Sequence, residues 1–397
     1  MHLQKLIKFS YLSLVLLPLL LCAEEKNIIN EKILSEDRLD LFNYSEEKNE
    51  QSSNKLKKDW INPITLSATK SKSDTSNTIK SAINISQPIF KSGGIYSAIK
   101  YANATYKYND YDIKLQKKEL IKEATTMLFN LNILDLNIKK NELLLKNANI
   151  DVERKKEQVL NGFLDTSTLD NAILDANSIK NNLADLYYQK EELVLSFSNI
   201  ASGDYRSFEL PILSLVDEKN FLKRNLELSK AKADVEQKDY FSNMTVAKYL
   251  PTLSVEANHT QYHEDKDDSI SNENVYSYGL SVSMPLDVRT FNDIETEKIN
   301  YLTSKLNLKN IELEERNFYK TKLSKLKMLE NKKRIAQDDY KLYDSLLEVI
   351  IEERDAQLKT QSDVDTLQNS QKIKSLELRI YELQKQIELL NLYSKIS

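Results

Sequence analysis

The chain of 397 residues contains only 5 glycines and 6 prolines. Both residues are the usual means of making tight turns, so their scarcity excludes a fold built from many short elements. Abundant Leu, Lys, Glu and Asn predict instead a few very long helices. Each proline and glycine is therefore expected to mark a boundary between elements.

Cysteine and histidine are also scarce, with one and three copies. A single cysteine excludes a disulfide within the chain, and no glycine-rich phosphate loop occurs. His259 and His263 precede a run of acidic residues, which resembles a metal site. We interpret this stretch as a solvated loop, because a four-residue spacing brings ligands together on a helix and not in a loop. The sequence therefore predicts neither an enzyme nor a cofactor.

Long hydrophobic runs are absent after the first residues of the chain. Residues 1–23 combine Lys5 and Lys8 with a short apolar stretch, which predicts a secretory signal peptide cleaved after Ala23. The alternative is a lipoprotein signal ending at Cys22, although Leu21 stands where such signals have a small residue. Either reading predicts export, and the net charge of −4 gives no reason to expect a nucleic acid partner.

Two stretches show the alternation of apolar and polar residues that is typical of half-buried strands. The first lies between Pro63 and Pro88, where Ile79, Ile83 and Ile85 alternate with polar residues. The second lies between Pro251 and Pro285 and includes Tyr276, Tyr278, Leu280 and Val282. Each stretch predicts a β-hairpin bounded by prolines.

Long helices are predicted after each hairpin by an apolar repeat with steps of three and four residues. The repeat runs from Leu120 to Val159, with Asn141 and Lys155 as polar positions that we expect to set the register. A turn at 160–168 leads to a second helix, and a turn at 359–367 does the same in the other half. The whole layout occurs twice, about 197 residues apart.

The predicted organisation follows from these boundaries. It comprises a signal peptide (1–23), a polar segment with a first helix (24–59), a first hairpin (60–89), a first helical hairpin (90–200), a connecting segment with an ascending helix (201–249), a second hairpin (250–286) and a second helical hairpin (287–397).

Four strands are too few to close a barrel, and an exported sheet with open edges would aggregate. In a bilayer each unpaired backbone group costs several kcal/mol, and the smallest membrane barrels have about eight strands. The chain is therefore expected to contribute a sector to an oligomer in an outer membrane. The predicted junction between barrel and helices contains Pro63, Pro88, Gly93, Gly94, Pro251 and Pro285.

At these residues the sequence resembles the TolC-like outer-membrane channel family. The resemblance rests on the duplicated layout, on "SQPIFKSGG", "SMPLD" and "YLPTLSV", and on the turn with Gly162, Asp165 and Leu169. It implies a mainly α fold with a β-barrel sector, closing as a homotrimer with a 12-stranded barrel and a helical tunnel that projects into the periplasm. The implied partners are a periplasmic adaptor, an inner-membrane pump and outer-membrane lipid.

Three features depart from the family pattern. The segment before Trp60 looks short and polar, Thr360 stands where the first turn has Gly162, and the chain ends directly after the last helix. The departures concern the equatorial region of the tunnel and leave the channel expectation in place.

The candidate functional residues lie in the two turns at the far end of the helices. Asp165, Asp363 and Asp365 are candidates for a gate, since symmetry would make each a ring of carboxylates; the alternative is that they only cap helices. Candidates for contact with the adaptor, or for packing within the turns, are Gly162, Phe163, Leu164, Leu169 and Leu367.

The expected function is an outer-membrane duct that passively conducts small molecules or drugs in a tripartite efflux system. A duct for type I protein secretion is an alternative that the sequence does not separate. A non-channel coiled-coil scaffold is a third possibility, although a scaffold has no need of two alternating hairpins.

Overall fold

The computed structural model describes residues 31–72, 77–264 and 274–397. The predicted signal peptide, Cys22 and the acidic residues 265–268 lie outside this part of the chain. The first repeat contains α1 (Glu36–Lys58), β1 (Thr65–Lys72), β2 (Asn77–Phe90), α2 (Gly94–Leu160) and α3 (Thr166–Ser198). After the short α4 (Glu218–Arg224), the second repeat contains α5 (Leu226–Lys248), β3 (Thr252–Glu264), β4 (Val275–Ser283), α6 (Thr290–Asp355) and α7 (Gln361–Tyr393).

The predicted duplication is confirmed by the lengths of the matching helices. α1 and α5 each have 23 residues, α2 and α6 have 67 and 66, and α3 and α7 each have 33. At a rise of about 1.5 Å per residue, α2 and α6 are rods of about 100 Å.

The four strands form one antiparallel sheet in the order β1–β2–β3–β4. Its two faces differ in character, because cross-strand partners place like residues side by side. Ile83 lies opposite Leu66 and His259, and His259 lies opposite Tyr276, so all four share one face. The other face carries polar residues such as Asn84 and Asn258, which hydrogen bond to each other. β1 and β4 are the edges of this sheet.

The helices form a second layer with the same kind of order. The N-terminal half of α2 packs between α1 and α5, and its C-terminal half packs between α3 and α7. α6 packs against α5 and then α7. The layer therefore has α1 and α3 at one edge and α6 at the other.

The predicted apolar repeat of α2 is buried where it meets α3. Leu131 and Ala124 are fully buried, and Ile138 packs with Leu183 and Leu186. The apolar repeat does not indicate a second buried face of α2, where Phe129 packs with Leu326, Leu383 and Leu390 from α6 and α7. A helix with neighbours on two sides needs two apolar stripes.

Asn141, predicted to set the register, forms a hydrogen bond between α2 and α3. Its side-chain oxygen accepts a hydrogen bond of 2.8 Å from Asn182 of α3, and its Nδ2 donates to the Asn137 carbonyl. The Nζ of Lys155, the other predicted position, lies 2.9 Å from Oδ2 of Asp151 in the same helix.

The first helix predicted within 24–59 corresponds to α1, which is a regular helix over Glu36–Lys58. It packs on α2 through polar groups: Asn49 donates to the Tyr106 carbonyl at 3.0 Å and accepts from Asn109. Because the buried positions of α1 include Asn49 and Ser53, the helix has no apolar stripe that a periodicity search could find.

The sequence predicts one ascending helix within 201–249. It is broken at Asn225, whose extended backbone separates α4 from α5. Asn225 is fully buried, and its side chain accepts a hydrogen bond from the Leu228 amide at 2.9 Å and donates to Glu315 at 2.8 Å. Glu315 also pairs with Lys395, so the buried carboxylate is fully partnered.

Both repeats stack a short helix on the end of another through a backbone bridge, and we call these two points the equatorial joints. In the first, the Ser35 amide donates to the Ile200 carbonyl at 3.0 Å; in the second, the Leu226 amide donates to the Lys395 carbonyl at 2.8 Å. α1 and α3 are therefore stacked end to end, and so are α5 and α7. The first stacked pair lies alongside α2, and the second lies between α2 and α6.

Two strand boundaries differ from the prediction. Pro88 does not end its strand, because β2 continues to Phe90 and Pro88 lies beside a register shift, where a proline is tolerated. His259 and His263 lie within β3 and not in a loop.

Candidate functional site at the tip turns

The tip is defined here as the two turns that join α2 to α3 and α6 to α7. In the first turn, the Phe163 amide donates to the Gln158 carbonyl at 2.8 Å, and the Gly162 amide donates to the Val159 carbonyl at 3.0 Å. This pair of bonds is the Schellman arrangement, which needs a left-handed residue, and Gly162 has φ of 75°.

The second turn repeats this geometry without glycine. The Leu358 amide donates to the Glu353 carbonyl at 2.8 Å, and Gln357 occupies the left-handed position with φ of 61°. Gln357 is therefore the counterpart of Gly162, and the sequence-based pairing of Gly162 with Thr360 is wrong. Thr360 corresponds instead to Asp165, because each caps the returning helix.

The capping interactions account for two of the three gate candidates. The Asp165 side chain accepts a hydrogen bond of 2.7 Å from the Ser167 amide, which lowers the pKa of the Asp165 carboxyl. Thr360 and Asp363 form a capping box, and the hydrogen bond from the Thr360 amide lowers the pKa of the Asp363 carboxyl. Asp365 accepts a hydrogen bond of 2.7 Å from Gln361.

Asp363 also joins two helices that belong to different repeats. Arg154 of α2 donates from Nη2 to Oδ1 of Asp363 at 2.8 Å. Two turns farther from the tip, Asn369 of α7 donates to Asn147 of α2 at 2.8 Å, and Asn147 donates to the Thr366 carbonyl at 3.3 Å. The contact between α2 and α7 therefore becomes polar towards the tip.

The adaptor candidates differ in exposure. Phe163 is 78% exposed and Leu164 is 37% exposed, whereas Leu169 and Leu367 are half-buried within the tip. Leu160 and Leu358, which the sequence analysis did not single out, are 78% and 74% exposed. Gly162 and Gln357 place Phe163 and Leu358 at equivalent positions, so the tip presents matching apolar side chains from both repeats.

At the opposite end of the long helices, the junction with the sheet is built differently in the two repeats. Pro63 lies two residues before β1, Pro251 lies directly before β3, and Pro285 lies two residues after β4. Gly93 is left-handed, and a Cβ on Gly94 would lie 2.9 Å from Cβ of Ala247, so α2 and α5 pack closely there. The second junction has Asp287 and Arg289 instead; hydrogen bonds from the Arg289 side chain lower the pKa of Asp287 to about 2.

Two kinds of feature are absent from the part of the chain that the structure describes. It contains no cluster of three or more His, Cys, Asp or Glu side chains that would hold a metal ion. None of the helices described combines the length and the apolar character that a membrane-crossing helix requires.

The comparisons with known proteins agree with this geometry. Residues 43–198 match the model of the outer membrane efflux protein family, and the match ends at the last residue of α3. No curated protein matches the chain significantly. The resemblance to the TolC-like channels is confirmed: the first repeat matches the family model, and the fold of these channels extends over both repeats.

Several solved channels share the fold at low sequence identity. The Campylobacter jejuni CmeC channel is 14% identical, with a TM-score of 0.71 over 93% of this chain and 85% of that chain. Vibrio cholerae VceC has the same identity and TM-score over 93% and 95% of the two chains. The open state of Neisseria gonorrhoeae MtrE is 12% identical, with a TM-score of 0.69 over 93% and 88%. The solved structures that share this fold are outer-membrane channels.

Proposed function

We propose that three copies of this chain form an outer-membrane channel of a tripartite efflux system, which passively conducts small molecules from the periplasm to the exterior. The observation that carries the proposal is that the sheet and the helical layer have open edges on the same two sides. β1, α1 and α3 lie at one side, and β4 and α6 lie at the other.

An edge of this kind is closed by the opposite edge of another copy. Head-to-tail contacts of one surface with a different surface generate a ring when the rotation closes. Three copies, the number that the family resemblance implies, would supply twelve strands. Such a closed barrel leaves no backbone group unpaired in the bilayer.

Exposed apolar side chains along the two helical edges support this closure. On α6 they form two groups, and within each group the steps are three, four or seven residues, as in a coiled coil whose partner is another copy. The first group is Ile299, Leu302, Leu306 and Leu313, and the second is Ile335, Leu342 and Val349. On α3 the corresponding residues are Leu174, Tyr188 and Leu195, which are spaced by multiples of seven.

The polarity of the two sheet faces supports a water-filled lumen. One face is apolar and suits lipid, and the other carries Asn, Ser and Thr side chains and suits water. In the ring, the polar face would line the pore, and the helices would continue that pore through the periplasm.

The tip is the proposed periplasmic gate. Opening requires that α7 moves relative to α2, and the bond between Arg154 and Asp363 opposes this movement. Asp165, Asp363 and Asp365 would each form a ring in the trimer. The exposed Phe163 and Leu164, together with Gly162, Leu169 and Leu367 around them, form the proposed docking surface for a periplasmic adaptor linked to an inner-membrane pump.

Conductance in a planar lipid bilayer tests the proposal. The purified protein is expected to form pores, and Arg154→Gln is expected to increase their conductance because a bond across the gate is lost. Lys155→Gln is the matched control, since Lys155 pairs with Asp151 within α2. A protein that inserts into the bilayer without conducting would contradict the proposal, whereas equal conductance of both variants would contradict only the assigned gate.

A further inference from the structure

The apolar face of the sheet changes character towards the ends of the hairpins. Leu66, Ala68, Lys70 and Lys72 are alternate residues of β1, so they share one face. The lower rows of this face are apolar, with Leu66 opposite Ile83 and Leu253 opposite Val282. The last rows of β1 instead carry the exposed side chains of Lys70 and Lys72.

His263 joins the two lysines on this face. The register between β2 and β3 shifts at Ile79 and Lys80, and His263 is the extra residue. Its Nε2 lies 2.8 Å from Oγ of Ser81, which alternates along β2 with Ile83 and Ile85 on the apolar face. Lys70 lies opposite Ile79, so the lysine and the histidine are separated by two strand spacings, or about 10 Å.

The row of cross-strand partners that contains Ile83, His259 and Tyr276 lies below this basic group and has the features of a bilayer interface. The rings of His259 and Tyr276 stack with centroids 4.3 Å apart on the same face. Aromatic side chains with a polar group are favoured where hydrocarbon meets headgroups. The rows from Leu253 to His259 span about 20 Å, close to the apolar band of about 25 Å of outer-membrane barrels.

The register also places one acidic residue, Glu264, on this face, opposite Ile79. Among the side chains that the structure describes, the face carries amides, hydroxyls and apolar groups besides Lys70, Lys72 and the two histidines. The two lysines therefore outnumber the one carboxylate that the pairing places beside them. Lys80 lies next to Ile79 in β2, at the same height, but on the polar face opposite Thr69. The sheet thus carries a basic group beyond its apolar band and directed to the same side as that band.

We propose that Lys70, Lys72 and His263 form a binding surface for the phosphate groups of the phosphorylated glycolipid that fills the outer leaflet of an outer membrane. The inference rests on the proposed function, because the hairpin ends face the exterior only if the helices lie in the periplasm. Lys70 and Lys72 are two residues apart on one strand. Their two positive charges match the two phosphate groups of a diphosphorylated headgroup. The ammonium group of a lysine is a compact positive charge that suits phosphate. The apolar stem of the side chain would lie along the hydrocarbon boundary.

The test is a lipid titration of the full-length protein in detergent, followed by native mass spectrometry. The probes are diphosphorylated lipid A, its monophosphorylated form, phosphatidylglycerol and phosphatidylethanolamine. A lysine near an anionic lipid surface contributes a factor of about five in affinity. Lys70→Gln combined with Lys72→Gln should therefore weaken binding of diphosphorylated lipid A by about 25-fold.

Lys80→Gln is the matched control, because it removes one positive charge at the same height from the other face. It should leave lipid A binding unchanged. Lys72→Gln alone should weaken binding about fivefold and gives a readout if the double variant does not assemble. The proposal is overturned if Lys80→Gln weakens binding as much as Lys72→Gln, or if the unchanged protein binds phosphatidylglycerol or phosphatidylethanolamine as tightly as lipid A.

Conductance of the same preparation separates this inference from the proposed function. Pores without a preference for diphosphorylated lipid A would overturn only the lipid-binding surface. A preparation that forms no pores would overturn the channel itself.

Discussion

The two repeats of this chain have the same architecture but use different residues at each critical point. The first repeat has Gly162 in the left-handed position of its tip turn and Gly93 with Gly94 at its junction. The second has Gln357 in that turn and the pair Asp287 and Arg289 at its junction. The family model matches only the first repeat, whereas the fold of the solved channels covers both. Backbone geometry has therefore been kept where the residues that usually specify it have changed.

The equatorial joints give the largest expected difference between the repeats. Asn225→Ala removes the cap of α5 and leaves the buried Glu315 without one of its partners. The loss of a cap and of a buried hydrogen bond to a charged group should lower the free energy of unfolding by about 2–4 kcal/mol. Denaturant unfolding followed by circular dichroism measures it.

Ser35→Ala is the matched control in the first repeat. Ser35 caps α1 without a side-chain hydrogen bond, so its replacement should cost less than about 0.5 kcal/mol. Equal costs for the two substitutions would show that the repeats do not differ at the joints.

The junctions give the next effect. Gly94→Ala would place a Cβ 2.9 Å from Cβ of Ala247, and α2 and α5 would have to separate. Overpacking of this kind should cost about 1–3 kcal/mol, measured as a lower Tm. Thr290→Ala at the equivalent first position of α6 creates no clash and removes the hydrogen bond of 2.6 Å from the Thr290 hydroxyl to the Asp287 carbonyl, so it should cost about 0.5–1.5 kcal/mol. A lower Tm for Thr290→Ala than for Gly94→Ala would contradict the close approach.

The tip turns give a smaller effect with opposite signs in the two repeats. Gln357→Gly should raise the free energy of unfolding by about 1 kcal/mol, because glycine has no Cβ to oppose the left-handed backbone. Gly162→Gln should lower it by a similar amount. The same sign for both substitutions would show that the two turns are not equivalent.

The capping carboxylates give the smallest effect, and it depends on pH. Bound amides lower the pKa of Asp165 and of Asp363 below that of an unfolded chain. A lowered pKa stabilises the fold above the unfolded value of 3.8 and loses this contribution as the pH falls through the folded value. Hydrogen exchange at the tip, corrected for intrinsic rates, should be constant relative to the mid-helix between pH 7 and 5 and should increase below pH 4. An increase between pH 7 and 5 would point to a different titrating group.

Much of the fold was predictable because its signals are periodic. Alternation of apolar and polar residues predicts both hairpins, and the repeat with steps of three and four predicts the helix from Leu120 to Val159. Both patterns are clear because each extends over many residues. The first helix was predicted only within 24–59, because Asn49 and Ser53 replace an apolar stripe that would indicate its bounds. The break at Asn225 depends on Glu315, 90 positions away. At the tip, the roles of Gly162 and Asp165 could be read from local rules. Gln357 could not, because nothing in its residue type indicates a left-handed backbone.

The most direct test of the account is the mass of the detergent-solubilised particle, measured by native mass spectrometry after the detergent is removed in the gas phase. The account predicts a particle of three chains, in which the β1 edge of each copy meets the β4 edge of the next. A single chain that conducts ions in a bilayer would contradict it, because the four-stranded sheet described here cannot enclose a pore alone.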